Sequence, residues 1–226
     1  MSKTHYWLFA GSIISLVVII LFSAILSGRR DSDFESDLYE HELRINSIEK
    51  QIPGISKYML LVKELSVAAG DRMTAYEVTE IAKIIIVQCA LNEDIGLTPS
   101  LVVGIMERES NFDPDAVSYA MAFGLMQVTQ TVCEIHLPVL GYGNFSEALV
   151  LNPIINTEIG IAELIRLRKY WLVNDIDSFI IVTTSYFWGI KNTWYLLNSK
   201  KRANLPSLEY GKGILDLAKA WREKGI

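Results

Sequence analysis

The sequence is poor in the residues that build metal sites and disulfide frameworks. Its 226 residues include only two cysteines and three histidines, and the histidines are scattered (His5, His41 and His136). The spacing of Cys89 and Cys133 is not that of a metal site, so we predict no metal and no cofactor. In an exported domain these two cysteines can form a disulfide, and equally they can stay buried as free thiols; the sequence leaves both readings open.

An excess of positive charge is also missing. The 21 Lys and Arg residues stand against 26 Asp and Glu residues, which gives a formal net charge of −5. A nucleic-acid-binding protein normally presents a basic face, so we predict no nucleic-acid partner. The same acidity offers no long-range attraction to an anionic polymer, so binding to one would have to be local and in a cleft.

No segment sustains the two-residue alternation of a half-buried strand, and no repeat or low-complexity tract is present. Helical periodicity, capping residues and Gly or Pro stops recur instead, so we predict a mainly α fold. Ile84–Val87 is apolar on every side, which predicts a helix buried in the core. The predicted helices span 55–69, 74 to about 92, 99–109, 129–135, 153–173, 177–197 and 214–221.

The N-terminus contains a long apolar run. From Tyr6 to Gly28 there is no charged residue in 23 positions. At about 1.5 Å per residue, this run is long enough to cross a hydrocarbon core of about 30 Å. We predict an uncleaved membrane anchor at 1–30, because the sequence near Ala24–Ser27 is a poor signal-peptidase site. A removed signal peptide and a buried core helix are the alternatives.

The next segment, 31–53, has a heptad-like seam. Its seam residues alternate spacings of four and three, and Pro53-Gly54 ends the segment. The seam predicts a helical stalk, which can pair two chains through 34–52 or lie as an amphipathic helix on its own domain. We place the main domain at 54–226. The seam residues are Phe34, Leu38, His41, Ile45, Ile48 and Ile52.

Glu109 is the candidate catalytic residue. It follows an apolar helical segment, 101–106, and precedes Asn111, Asp113 and Pro114, which stop helices. Glu109 is therefore expected at a helix C-terminus, where the negative end of the macrodipole favours a protonated carboxyl. A general acid that works near neutral pH needs such a carboxyl, because a free Glu with a pKa of about 4.3 is already ionised.

The residues from Glu109 to Gln127 resemble the catalytic core of the SLT-type lytic transglycosylases, which cleave bacterial peptidoglycan. The resemblance covers nineteen residues without a gap, and further on Asn156 and Gly160 match an Asn-x-x-x-Gly turn of that family. It implies a lysozyme-like helical domain. Met121 is a departure, since the family usually has Gly there. The matched residues are Glu109, Ser110, Phe112, Pro114, Ala116, Val117, Ser118, Ala122, Gly124, Leu125, Met126 and Gln127.

The resemblance implies that one carboxyl cleaves the MurNAc–GlcNAc β-1,4 bond. Glu109 would protonate the leaving oxygen, the substrate's N-acetyl group would assist, and the muramic acid 6-hydroxyl would attack to give a 1,6-anhydro end. Glu107 should point elsewhere, because it is two residues away on a helix. A peptidoglycan substrate places the domain outside the cytoplasmic membrane, although Arg29 and Arg30 after the apolar run weakly favour the opposite orientation.

Five further residues are candidate substrate-binding residues. Ser118 can bond to the Glu109 carboxyl or hold the loop, while Gln127 can present its amide to the glycan and Met126 can line an apolar wall. For Met126 and Gln127 plain packing is the alternative. Tyr186 matches the Tyr of a family Ala-Tyr-Asn-x-Gly signature, in which Phe187 replaces the Asn. Glu209 follows a Pro where the family often has a Glu near the cleft.

Three other functions remain open from the sequence. A goose-type lysozyme, related in fold, would use water and leave a reducing end. A weakly active peptidoglycan-binding scaffold of a secretion or division machine is compatible with the departures at Met121 and Phe187. An anchored coiled-coil interaction protein would explain residues 1–52 but not the Glu109–Gln127 pattern.

Overall fold

The computed structural model describes residues 54–198 and 206–226, and this part of the chain is mainly helical, as predicted. Two short 3₁₀ turns and one two-stranded hairpin accompany the helices. In the residues described, the elements are α1 (Ile55–Ala69), α2 (Ala75–Leu91), α3 (Pro99–Ser110), β1 (Ala122–Phe123), β2 (Val128–Thr129), α4 (Gln130–His136), α5 (Glu147–Val150), α6 (Pro153–Val173), α7 (Phe179–Trp188), α8 (Ile190–Asn198) and α9 (Pro206–Glu223).

The chain divides after Leu61 into two compact units. Of the first unit, the structure describes 54–61, which includes the opening turns of α1. The second unit contains the rest of α1 and every later element, so the candidate site lies entirely within it.

Helix α2 begins with the predicted capping box. Thr74 Oγ1 accepts a hydrogen bond from the Glu77 amide at 3.2 Å, and the Glu77 carboxylate accepts one from the Thr74 amide at 2.7 Å. The expectation of a helix buried on every side was wrong. Ile85 is buried, but its neighbours Ile84 and Ile86 are partly exposed, because α2 turns a single face inward. That face holds Val78, Ile81, Ala82, Ile85 and Cys89.

Helix α3 is the central buried helix and carries Glu109 at its end. Thr98 caps its N-terminus by accepting from the Leu101 amide at 3.3 Å, and Pro99 occupies its first turn, as predicted. Residues 100–106 are all buried. Helix α9 packs along α3 at close range, since a Cβ on Gly104 would stand 3.0 Å from the backbone nitrogen of Ala218. The α3–α9 pair therefore sets one side of the site.

The predicted helix at 177–197 is two helices in the structure. Gly189 separates α7 from α8 with φ +80° and ψ 154°, a backbone conformation that no helix contains and that only glycine adopts readily. The mainly α fold also contains one short hairpin, in which β1 and β2 pair antiparallel. Both strands are two residues long, too short for an alternation to be visible in the sequence. Helix α9, predicted for 214–221, begins two turns earlier, at Pro206.

The predicted anchor at 1–30 and the stalk at 31–53, with its pairing seam, lie outside the described residues. None of the helices described at 54–198 and 206–226 is long and apolar enough to cross a membrane. Cys89 and Cys133 are both buried free thiols, so of the two alternatives for the cysteines the structure has the unpaired one. Burial raises the pKa of the Cys133 thiol to about 11.

Candidate active site

Glu109 lies in the last turn of α3, as its flanking residues predict. The helix ends at Ser110, and Asn111 follows in the left-handed conformation with φ 50° while its amide still bonds to the Glu107 carbonyl. Asn tolerates this conformation better than other non-glycine residues. The turn directs the chain away from α3 immediately after the carboxyl, which leaves the side chain of Glu109 at the edge of the helix.

The Glu109 carboxyl is buried enough to change its acidity. Burial raises its pKa to about 7, while a hydrogen bond from Tyr210 and the charge of Arg108 oppose the rise. The sequence predicted a raised pKa from the helix dipole, but removal from water is the main cause here. The residue keeps part of its surface exposed. Glu109 is therefore a partly exposed residue whose carboxyl keeps its proton to a higher pH than an ordinary Glu.

Tyr210 is the direct partner of Glu109. Its hydroxyl, which lies in the early turns of α9, donates a hydrogen bond to Glu109 Oε1. The Tyr210 ring stacks on Phe187 with centroids 4.3 Å apart and planes inclined by 24°, and the Arg108 guanidinium carbon lies 5.1 Å from its centroid. These contacts fix the ring, and through it the rotamer of the carboxyl.

Sequence reasoning missed Tyr210 and chose its neighbour, Glu209. The Glu209 carboxylate is exposed and pairs with Lys212 on its own helix at 2.7 Å, so the structure does not bring it to Glu109. Position 210 faces α3 and position 209 faces outward. The signal that could have found Tyr210 is the inward face of α9, which only becomes visible when the helix is started at Pro206.

The loop after Glu109 is held by its own hydrogen bonds. Ser110 Oγ donates to the Leu125 carbonyl at 2.9 Å, which joins the end of α3 to the Gly124–Gln127 segment. Ser118 Oγ accepts from the Ala122 amide at 3.1 Å. Of the two roles predicted for Ser118, the hydrogen bonds show the loop-holding one.

Gln127 also bonds to this loop. Its side-chain nitrogen donates to the carbonyls of Ala116 and Gly124, both at 3.0 Å, so both N–H groups of the amide have backbone partners. The residue is partly exposed. Its carbonyl oxygen, rather than its NH₂ group, is then the part of the amide suited to meet a ligand.

Met126 lies in the core rather than on a cleft wall. Its side chain is fully buried, and a Cβ on Gly160 of α6 would stand 2.6 Å from the Met126 Cβ. The close approach exists because position 160 has no side chain. The prediction of an exposed apolar wall at Met126 was wrong, and its packing alternative is the one observed.

Asn156 on α6 ties the Gly124–Gln127 segment down. It is fully buried; its Nδ2 donates to the carbonyls of Phe123 and Val150, and its Oδ1 accepts from the Met126 amide, each at 2.8 Å. A Cβ on Gly124, whose φ is +68°, would stand 2.5 Å from Asn156 Nδ2. The matched Asn and Gly positions of the sequence thus have a clear structural role.

Tyr186 also bonds to the Gly124–Gln127 segment. Its hydroxyl donates to the Met126 carbonyl at 2.9 Å. Burial raises its pKa well above the ordinary tyrosine value, and the negative charge of Glu109 adds to the rise. Tyr186 therefore stays a neutral donor close to the candidate acid.

Met121, the departure from the family pattern, takes the conformation that a glycine would take. Its φ is +56°, and its side chain is 51% exposed. This conformation costs a non-glycine residue about 1 kcal/mol relative to glycine.

The chemistry of the site centres on one carboxyl. As predicted, Glu107 points elsewhere, and its carboxylate accepts from Trp221 Nε1 at 2.5 Å. The hydrogen-bond partner of Glu109 is a phenol, not a second acid. Within 54–198 and 206–226, no group of three or more His, Cys, Asp or Glu side chains is arranged to hold a metal ion. The arrangement suits proton transfer by one group that gives a proton to one oxygen and then takes a proton from another.

The chain is similar to known proteins. A membrane-bound lytic murein transglycosylase C from Histophilus somni is 42% identical over 79 residues, which are 34% of this chain and 22% of that protein. The protein of the same name from Cronobacter sakazakii is 32% identical over 111 residues, 47% of this chain and 31% of that one. The matches therefore span less than a third of the length of these relatives.

Among solved structures, an inactive mutant of the lytic transglycosylase Slt from Pseudomonas aeruginosa is similar with a TM-score of 0.50. At 20% identity over 61% of this chain and 23% of that one, the likeness shows the fold alone. The family described as Transglycosylase SLT domain matches residues 90–204, which is half of the chain and includes Glu109, Gln127, Asn156 and Tyr186. The chain belongs to the transglycosylase SLT domain family.

Proposed function

We propose that this protein is a peptidoglycan lytic transglycosylase that cleaves the MurNAc–GlcNAc β-1,4 bond and leaves 1,6-anhydro-MurNAc ends. The observation that carries the proposal is the Glu109 carboxyl, whose pKa burial raises to about 7 and which the Tyr210 hydroxyl orients. A glycosidase that uses water normally needs a second carboxylate near the first. Here the group bonded to Glu109 is neutral.

Glu109 acts first as an acid. In its protonated form it gives its proton to the leaving glycosidic oxygen as positive charge develops at the anomeric carbon, with assistance from the substrate's N-acetyl group. The resulting carboxylate then accepts the proton of the muramic acid 6-hydroxyl as that hydroxyl attacks the anomeric carbon. A pKa near 7 suits both steps, because neither form of the carboxyl is strongly disfavoured at neutral pH.

The other candidate residues shape the site around this acid. Ser118 and Gln127 keep the loop closed, and the Gln127 amide oxygen is the group we assign to a glycan hydroxyl or N-acetyl N–H. The hydrogen bond from Tyr186 to Met126 and the packing of Met126 against Gly160 hold the Gly124–Gln127 segment in place. Glu209 is exposed and pairs with Lys212 on its own helix, outside the hydrogen bond that orients Glu109.

We further propose that residues 1–30 anchor the chain in the bacterial cytoplasmic membrane, with a stalk at 31–53 and a lysozyme-like catalytic domain at 54–226 on the outer side. The charge-free run from Tyr6 to Gly28 supports the anchor, and relatives named membrane-bound support an association with the membrane. Pairing of two chains through 34–52 belongs to the same proposal.

The test is digestion of purified peptidoglycan by the full-length chain in detergent, with Glu109→Gln alongside and mass analysis of the products. Gln is nearly isosteric with Glu and can still accept from Tyr210, but it has no carboxyl proton to give. We expect anhydro-muropeptides from the wild type and a loss of at least a hundredfold, on the order expected for a missing general acid, from the variant. Reducing-end products would instead identify a lysozyme. Binding to peptidoglycan without soluble products would leave the scaffold function.

A further inference from the structure

The last turn of α7 leaves two aromatic residues in solvent, and one of them, Phe187, contacts the hydrogen-bond partner of the candidate acid. Phe187 is 53% exposed and Trp188 is 37% exposed. Gly189 ends α7 directly after them. An exposed ring is not stabilised by the core, and the position of Phe187 beside the site calls for another explanation.

Phe187 is tied to the reaction centre by a short chain of contacts. Its ring stacks at 4.3 Å on Tyr210, whose hydroxyl donates to Glu109. One face of the Phe187 ring therefore packs on Tyr210, and the exposed part of the ring lies next to the Tyr210–Glu109 pair.

The backbone beneath Phe187 is firmly held. Thr184 and Ser185, in the preceding turn, are buried; Trp171 Nε1 donates to Ser185 Oγ at 2.9 Å. Tyr186, the adjacent residue, donates to the Met126 carbonyl. A ring on such a support is already ordered before a ligand arrives, so little conformational entropy is lost when one binds.

The chemistry of the ring selects its ligand. A pyranose ring presents a face of C–H groups, and that face packs on a flat aromatic ring, whereas a polar side chain would offer hydrogen bonds instead. A glycan strand extends in both directions from the bond that is cleaved. The sugars next to that bond must therefore contact the surfaces that flank Glu109, and Phe187 is one of them.

We propose that the exposed face of Phe187 is a stacking platform for a sugar ring of the glycan strand, next to the bond that Glu109 cleaves. The inference rests on the proposed function and deepens it by assigning part of substrate recognition to a position where the family signature has Asn. Recognition by this platform is directed at the sugar, not at the stem peptide.

The test measures binding in the absence of turnover. Full-length Glu109→Gln in detergent is titrated with peptidoglycan glycan strands from which an amidase has removed the peptides, and the Kd is measured by calorimetry. Adding Phe187→Ala should weaken binding by about five- to tenfold, the range expected for the loss of one aromatic contact. Phe187→Trp should retain the affinity, because it restores a flat face. Phe187→Asn, which keeps a polar side chain of moderate size, should lose it as Ala does.

A matched control is Tyr76→Ala. Tyr76 is an exposed aromatic, 68% accessible, in the first turn of α2, a helix that supplies none of the residues bonded to Glu109 or Tyr210. Its removal should leave the Kd unchanged. Equal weakening by Tyr76→Ala and Phe187→Ala would overturn the platform, and so would an unchanged Kd in Phe187→Ala. The titration is repeated with strands that still carry their peptides. If Phe187→Ala weakens binding only to those strands, the platform is also overturned.

A second readout separates glycan binding from support of Tyr210. In the protein that retains Glu109, Phe187→Ala should raise KM and leave the pH dependence of kcat unchanged. A shift of that pH dependence with an unchanged KM would mean that Phe187 acts only through Tyr210, which would overturn the proposal. Failure of the proposed function is seen independently, because it appears in the wild type as an absence of anhydro products.

Discussion

The candidate site has a floor and a wall that are built in different ways. The floor is the Gly124–Gln127 segment, which packs against α6. Asn156 of α6 bonds to three backbone groups, and Gly160 of α6 leaves room for the Met126 side chain. The wall is the pair Tyr210 and Phe187, partly exposed rings that hold each other by stacking. The floor is fixed by buried backbone geometry, and the wall by side-chain packing at the surface.

This difference explains why the chain keeps the family residues of the floor and departs from the family at Phe187 on the wall. The other departure, Met121, lies in the loop, outside both. A floor made of backbone contacts permits few substitutions, since a Cβ on Gly124 or Gly160 would collide with its neighbour. A wall made of side chains can exchange one ring or amide for another while the helices stay in place. Phe187 is such an exchange, and the Tyr210 helix lies beyond the residues 90–204 that match the family.

The largest effect is expected from breaking the floor with Asn156→Ala. The change leaves two buried carbonyls and one buried amide without their partner, and each unsatisfied buried group costs about 1–3 kcal/mol. We expect a loss of about 3–5 kcal/mol in the free energy of unfolding, measured by urea denaturation with circular dichroism.

The matched control is Asn152→Ala. Asn152 also accepts from two backbone amides, those of Ile154 and Ile155, but it does so as an exposed N-cap of α6. Water can bond to these two amides when the side chain is removed, so the free energy of unfolding should fall by only about 1 kcal/mol. Equal losses in the two variants would show that the floor is not more constrained than an ordinary helix start.

The second effect concerns Glu109, which lies between floor and wall. Its pKa is about 7 in the folded chain against 4.5 as the ordinary value, so the folded state binds more protons between these pH values. The wild type therefore loses stability as the pH rises through this window, and the loss is complete above pH 7. Glu109→Gln has no such charge to bury.

We expect Glu109→Gln to match the wild type near pH 4.5 and to be more stable by roughly 2–3 kcal/mol at pH 8, where the wild-type carboxyl is charged. Thermal unfolding of both proteins at pH 4.5 and pH 8 measures the difference. A stability gap that is the same at both pH values would mean that the carboxyl is not desolvated in the folded chain.

How far the sequence could predict the structure follows the same division. The sequence could predict that helices start at Thr74 and Thr98 and that Glu109 lies at a helix end. Capping and helix-stopping residues act over only three or four positions. Tyr210 could not be predicted, since its meeting with Glu109 joins residues 101 positions apart and depends on how α9 packs on α3. The burial of Met126 depended in the same way on a distant glycine.

The smallest effect is expected at the wall, from Tyr210→Phe. The variant removes the hydroxyl that donates to Glu109 but keeps a ring for Phe187 and Arg108 to contact. The lost hydrogen bond favoured the charged carboxylate, so the pKa of Glu109 should rise above its wild-type value of about 7. The pH–rate profile is measured as kcat/KM for soluble products from peptidoglycan. Its descending limb should move to higher pH by about 0.5–1 pH unit. Phe187→Leu, which leaves the hydroxyl in place, should not move it. If the limb in Tyr210→Phe moves to lower pH or does not move, the phenol does not set the acidity of Glu109 and serves only to pack the wall.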